Sequence, residues 1–199
     1  MIPVKQMPEP PDFDEKVRKP GNKWLADPIN ANVNPSKYKN FWTRCLPDLA
    51  EAYGHMCAYL AIYFDPAFGA DSVDHFIPKS DPIKGKSLTY EWSNYRLSCL
   101  GENRKKNVSI SPIDPFTMEP ESFFIDFSDG HVFPNPAKDA NYQQDCKDAI
   151  IALNLNNPIN CKMRKSCYLR YLKGEWTELG MQRESPFVWQ EICRQGLKK

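Results

Sequence analysis

The stretch from Ser72 to Asn107, SVDHFIPKSDPIKGKSLTYEWSNYRLSCLGENRKKN, decides the architecture. Its first residues read as a strand over 72–77. A loop of about fifteen residues follows, long enough inside a compact domain to be functional or tightly packed on itself. A second strand over 94–99 leads into a short basic helix from about 101 to 108. This order places Asp74 and His75 on the first strand, Asn94 at the head of the second, and Asn103 nine positions later at the head of the helix. Each of these residues has an ordinary structural explanation alone; their joint order and spacing carries the chemical reading.

Outward from this stretch the chain is α+β. Residues 1–35 hold Pro3, Pro8, Pro10, Pro11, Pro20, Pro28 and Pro35 without a sustained period. They read as an extended arm anchored best at Trp24-Leu25, which either wraps its own domain or lies on a partner. Residues 36–116 form the central unit with its preceding helices. Ser36 can cap a helix through Arg44. Pro47 suits the first turn of the next helix, whose Leu46, Leu49, Ala50 and Tyr53 share one face, with Gly54 as its stop. HMCAYLAIYF, at 55–64, is apolar and expected to be buried.

Residues 117–199 complete the same domain. SFFIDFSDGHVFP, at 122–134, predicts a hairpin around an Asp129-Gly130 type I′ turn. Tyr142, Cys146, Ala149, Ile150 and Leu153 mark a helix. A second runs from about 158 to 173, with Met163 and Leu172 inward and Lys162, Arg164, Lys165 and Arg170 outward. Ser185-Pro186 opens a last helix with Val188, Trp189 and Ile192 inward, ending at Gly196.

With 199 residues, 11 Phe, 9 Tyr and 5 Trp, the chain can bury a sizeable core. The mean hydropathy of −0.60 and 18 prolines suit a soluble protein rich in irregular connections. No apolar run reaches membrane-spanning length, and MIPVKQMPEPPDFDEK lacks the apolar region of a signal peptide. Seven scattered cysteines, an odd number, suit a reducing cytoplasm better than a disulfide framework. Net charge is only +1, but basic residues cluster. Seven Lys/Arg against three Asp/Glu lie between Lys79 and Lys106, and five against none between Lys162 and Lys173. Either zone suits a phosphate backbone, and either is also an ordinary solvated helix face.

Hydrolysis of a phosphodiester needs an activated water, a cation on the phosphate oxygens and groups that hold both in line. Neutral imidazole is the natural base near pH 7, so His75 is the candidate. Neighbours on a strand point to opposite sides, but a twisted, bulged strand lets Asp74 aim at a metal while His75 aims at the water. Carboxylate and amide oxygens from Asp74 and Asn103 suit Mg²⁺ or Mn²⁺. Asn94 can bridge the loop and hold His75 in orientation. Lys106, one turn beyond Asn103, together with Lys79 and Arg104 can meet phosphates.

DHFIPKS, WSNYRLSC and ENRKK together resemble the HNH endonucleases with their ββα-metal core. That resemblance implies Asp74 and Asn103 as metal ligands, His75 as general base and Asn94 as the loop-holding asparagine. It also implies DNA as substrate, with 5′-phosphate and 3′-hydroxyl products. The third name-giving residue here is Asn103 rather than histidine. A wider set of features is similar to the PtuB-type HNH proteins of Septu and retron antiphage defence: the HF-x-PKS box, Tyr-x-Trp-Ser-Asn, the Asp-Gly hairpin and LNLNNPI through Arg164. This implies a protein partner, an ATPase of the PtuA type.

Relatives of this kind often carry two Cys-x-x-Cys knuckles on a structural zinc. Here they read CAYL at 57–60 and CLGE at 99–102, and two sulfurs do not make a tetrahedral zinc site. No structural zinc is expected. Cys57 and Cys99 should instead lie together as buried thiols, with Tyr59, Leu60 and Tyr63 packing around them. A scaffold that binds without cutting, or a toxin-like nuclease with a dedicated inhibitor, are the alternative readings.

Overall fold

The computed structural model describes residues 1–65, 67, 69–99 and 110–199. Strands β1 (Asp71–His75) and β2 (Tyr95–Cys99) pair antiparallel, from Asp71 opposite Cys99 to His75 opposite Tyr95. The five pairs run in unbroken register, so the bulge expected near Asp74 is absent. Nearly every residue of both strands is buried. Covered on both faces, the ribbon does not show the apolar-polar alternation of a half-exposed sheet. The basic helix expected after β2 lies outside the described residues. Among the described residues the α+β class therefore rests on this ribbon, a second hairpin and seven helices.

The N-terminal segment is not the extended arm that its prolines suggested. A π turn at Asp14–Arg18 runs directly into α1 (Lys19–Ala26), with Phe13 and Val17 fully buried. Pro20 has no N–H to give the carbonyl of Lys16 four residues earlier, and the Arg44 guanidinium donates to that carbonyl instead at 3.1 Å. Gly21 lets the helix sit on Tyr90, since a Cβ there would come within 2.3 Å of the ring. Upstream, Val4 N–H donates to Pro115 O, Met7 N–H to the Tyr53 hydroxyl, and Trp92 Nε1 to Met7 O. The segment wraps its own domain.

No α-helix spans 36–44. Single 3₁₀ turns at Pro35–Lys37 and Phe41–Cys45 are separated by extended backbone at Tyr38. The aromatic side chains of this segment dock in different places: Tyr38 on Trp24, Phe41 on Tyr90, and Trp42 on both His75 and Tyr90. Next, α2 (Leu46–Ala52) holds Pro47 in its first turn and buries Leu49 and Ala50. Gly54, at φ +57°, follows the helix. A four-residue helix, α3 (Gly85–Leu88), interrupts the loop between β1 and β2.

The second hairpin pairs β3 (Phe123–Ile125) with β4 (Val132–Pro134). Its connection is wider than the expected two-residue turn: Asp126 N–H donates to His131 O, and Gly130 N–H to Asp126 O. Only Gly130 has positive φ, at +84°, whereas a type I′ turn needs two such residues. A Cβ on Gly130 would lie 2.1 Å from the carbonyl of Cys161, so the turn is shaped by the helix beneath it.

Four helices follow: α4 (Ala140–Ala152), α5 (Pro158–Leu172), α6 (Glu178–Glu184) and α7 (Pro186–Arg194). Asp139 and Asn157 cap the first two through their side-chain oxygens. Helix α7 buries Val188, Trp189 and Ile192, as its spacing predicted. On α5 the assignment of faces changes: Arg164 is buried and Leu172 is 36% exposed. One hydrophobic core links Phe13 and Val17, Leu49, Val73 and Leu97, and Ile125, Leu153 and Ile192. Among the described residues no helix is long and apolar enough to cross a membrane.

Candidate active site

His75 closes β1, where the sheet ends and the loop begins. Its Nε2 lies 2.9 Å from the backbone carbonyl of Thr89, and a carbonyl only accepts. Nε2 therefore carries the proton, leaving Nδ1 as the acceptor nitrogen. The Tyr95 hydroxyl donates to the same carbonyl at 2.9 Å, so one oxygen fixes both rings. Trp42 meets the imidazole edge-on at 4.8 Å between centroids, and Tyr95 at 5.2 Å. The imidazole has a set tautomer and a set plane.

The loop that delivers Thr89 is held by Asn94. Its Oδ1 accepts from Ile77 N–H at 2.8 Å, and its Nδ2 donates to Ile77 O at 3.0 Å and Leu88 O at 3.2 Å. Asn94 thus bridges both ends of the loop, and it lies next to His75 on either side: its own carbonyl accepts from Phe76 N–H at 2.9 Å, and its Nδ2 holds Leu88, the residue before Thr89. Gly85 makes the loop's compactness achievable, because a Cβ there would meet the carbonyls of Lys79 and Pro78 at 2.5 and 2.7 Å. The Thr89 hydroxyl donates back to Gly85 O at 2.7 Å.

Asp74 points away from His75, by ordinary strand alternation, into a second buried cluster. It is 2% exposed, and the Tyr59 hydroxyl donates to its Oδ2. Burial and the neighbouring Asp74 carboxylate push the Tyr59 phenol well above its usual range, so it stays a donor. Opposite Asp74 on β2, Arg96 forms a bidentate pair with Asp114, at 2.9 Å from Nε and 2.5 Å from Nη2. Its guanidinium also stacks on Phe116 at 3.5 Å. Arg96 is therefore a buried structural cation and leaves the basic zone counted from the sequence. Arg164 leaves the other zone for the same reason.

Asp74 offers carboxylate oxygens, a donor type that suits a hard divalent cation. Asn103, the expected second ligand, and the phosphate-contact candidates Arg104 and Lys106 lie outside the described residues. Among the described residues no three His, Cys, Asp or Glu side chains cluster on one metal position. Lys79 is close to the site: its ammonium sits 4.0 Å over the Trp42 ring that abuts His75, and burial lowers its pKa. Cys57 and Cys99 do lie together, but only Cys57 is fully buried and Cys99 is half-buried. Burial alone would raise the Cys57 thiol, but hydrogen bonds from the Cys99 side chain and from the backbone N–H groups of Cys99, Leu60 and Tyr59 bring it down to about 7.

Thr89, Tyr59 and Trp42 escaped the sequence reading. Thr89 acts through its backbone, which no residue type advertises. Tyr59 read as packing, although its place between a half-knuckle and Asp74 was a usable signal. Trp42 lies in KYKNFWTR, whose alternation of bases and aromatic rings was visible but unassigned.

No family model matches the chain. Over 167 residues it is 26% identical to a protein of Vibrio cholerae serotype O1 biovar El Tor named "Retron Vc95 putative HNH endonuclease", covering 79% of this chain and 78% of that protein. The similarity supports an HNH endonuclease assignment and nuclease activity in general.

Proposed function

We propose that the chain is a metal-dependent HNH endonuclease that hydrolyses DNA, with His75 as general base and Asp74 and Asn103 holding a Mg²⁺ or Mn²⁺ ion. The observation that carries this reading is the Thr89 carbonyl on Nε2, which leaves Nδ1 as the basic nitrogen of a ring that cannot turn. Nδ1 takes a proton from water as its oxygen attacks phosphorus. The bond from phosphorus to the 3′-oxygen breaks, the departing oxygen takes a proton from solvent water, and the products are a 5′-phosphate and a 3′-hydroxyl. The cation, when bound, neutralises charge on the phosphate oxygens and the leaving group. Asn94 positions the loop, and Lys79, Arg104 and Lys106 meet neighbouring phosphates.

The protein works with a partner that supplies targeting, an ATPase by its resemblance to the PtuB-type proteins. The N-terminal segment is committed to its own core, which leaves the C-terminal helices as the partner face. There Ile151, Ile159 and Leu179 are between 72 and 76% exposed.

Wild-type protein, with any co-purifying partner, is expected to nick supercoiled plasmid in Mg²⁺ or Mn²⁺ and to stop in EDTA. Persistent nicking in EDTA, or none from protein and complex alike, would reject the assignment and leave a silent HNH scaffold. Tyr59→Phe removes one hydroxyl from the Asp74 shell. It is expected to weaken Mn²⁺ binding by about 10- to 100-fold, read from the electron paramagnetic resonance of free Mn²⁺. Nicking should recover at saturating metal. Unchanged Mn²⁺ affinity would mean that Tyr59 only packs.

A further inference from the structure

We infer that residues 37–44, KYKNFWTR, form a track that docks a nucleic-acid strand beside His75, an inference that rests on the nuclease reading of that site. Residues 28–47 contain Lys37, Lys39 and Arg44 and no acidic residue. All three cations are exposed, and among the described residues none has a carboxylate partner. The carboxylates nearby are already engaged: Asp12 and Asp48 by Lys16, and Glu9, Asp14 and Glu91 by Arg18. The local charge balance is settled without these three cations.

Two of the three, Lys39 and Arg44, are ordered by an aromatic ring. The Lys39 ammonium and the Arg44 guanidinium both sit over Phe41, at 5.2 and 4.5 Å from its centroid. Arg44 is further tethered by its bond to Lys16 O. Trp42 follows directly, touching His75 with its edge and carrying Lys79 on its face. Fixed cations therefore lead from Phe41, past Trp42, to the imidazole. Pre-placed charges lose little side-chain entropy on meeting a phosphate.

The pattern fits a polynucleotide better than a membrane. Phe41 is buried and Tyr38 and Trp42 are half-buried, so no aromatic side chain projects for insertion into lipid. Exposed cations held over rings that do not project present charge to a chain of phosphates. Because the protein carries a net charge of only +1, this binding is weak and salt-limited, as a partner-targeted nuclease requires.

The test uses a fluorescent oligonucleotide, single-stranded and duplex, with the 199-residue chain carrying His75→Gln so that the probe stays intact and Trp42 keeps its neighbour. Anisotropy is read from about 50 to about 200 mM salt. Adding Lys39→Ala and Arg44→Ala should weaken binding about tenfold. It should also reduce the slope of log affinity against log salt by about 1.4 to 1.8, the loss of two phosphate contacts at 0.7 to 0.9 each. Lys147→Ala, on α4, should change neither. An unchanged slope in the double variant with its melting temperature intact, an equal loss in Lys147→Ala, or no binding at low salt would overturn the track. Plasmid nicking by wild type, alone and with any co-purifying partner, separates the two readings: nicking with an unchanged slope rejects the track alone, and a reduced slope without nicking from protein or complex rejects the nuclease assignment alone.

Discussion

Replacing His75 by glutamine is expected to lower metal-dependent plasmid nicking by at least 100-fold while leaving the melting temperature close to that of the wild type. General-base catalysis contributes about 10²- to 10⁴-fold, and an amide supplies no base. Glutamine can still donate an N–H toward the Thr89 carbonyl, so the loop keeps a partner for that oxygen. Alanine makes a useful contrast. It removes the base, empties the space between Trp42 and Tyr95, and leaves the carbonyl to Tyr95 alone. His75→Ala should therefore lose both activity and stability, the latter by about 1–3 kcal/mol. Initial nicking rates beside thermal melts separate the two effects. Activity within tenfold of wild type in a folded His75→Gln protein would place the base elsewhere and remove the central element of the proposed mechanism.

The largest stability effect is expected at Arg164, far from the imidazole. Its Nε donates to Gly130 O at 2.7 Å and its Nη2 to Leu155 O at 2.8 Å, joining the hairpin turn to the segment before α5. Asn156 completes the clamp by exchanging hydrogen bonds with both backbone groups of Val132 at 2.8 Å. Arg164→Met keeps the aliphatic bulk but abandons two buried carbonyls. Each costs about 1–3 kcal/mol, so a loss of about 2–6 kcal/mol is expected from urea unfolding. Lys165→Met, one residue on and exposed, should change stability by less than about 0.5 kcal/mol. Equal effects at the two positions would show that Arg164 is dispensable. The segment from Leu153 to Arg164 thus has a structural role: it fastens the C-terminal helices to the second hairpin.

Much of the architecture was legible in the residues. Asp74-His75 on a strand, Asn94 just before its antiparallel partner, the second hairpin and the capped C-terminal helices all follow from local spacing and cap chemistry. Those signals act over a few residues, and the structure departs from them in element ends, in turn width, in the buried face of α5 and over 36–44, where two 3₁₀ turns replace the expected helix. Prolines misled the reading of the N-terminal segment. Pro20 was compatible with a helix once Arg44, distant in sequence, took over the carbonyl that proline cannot serve.

By itself the sequence determined which chemical groups stand at the end of β1: an imidazole, a carboxylate beside it and an asparagine at the head of the next strand. Only the tertiary structure decided what each of them does there. The His75 tautomer depends on a carbonyl of Thr89, and every residue has a carbonyl, so no sequence pattern marks the one that matters. Asp74 meets Tyr59 because two segments cross. Arg96 and Arg164, charged and apparently suited to solvent, are buried because Asp114 and two backbone oxygens from other elements satisfy them. Residue identity sets what a side chain can bond; non-local contacts set what it does bond, and with that its charge, its burial and its orientation.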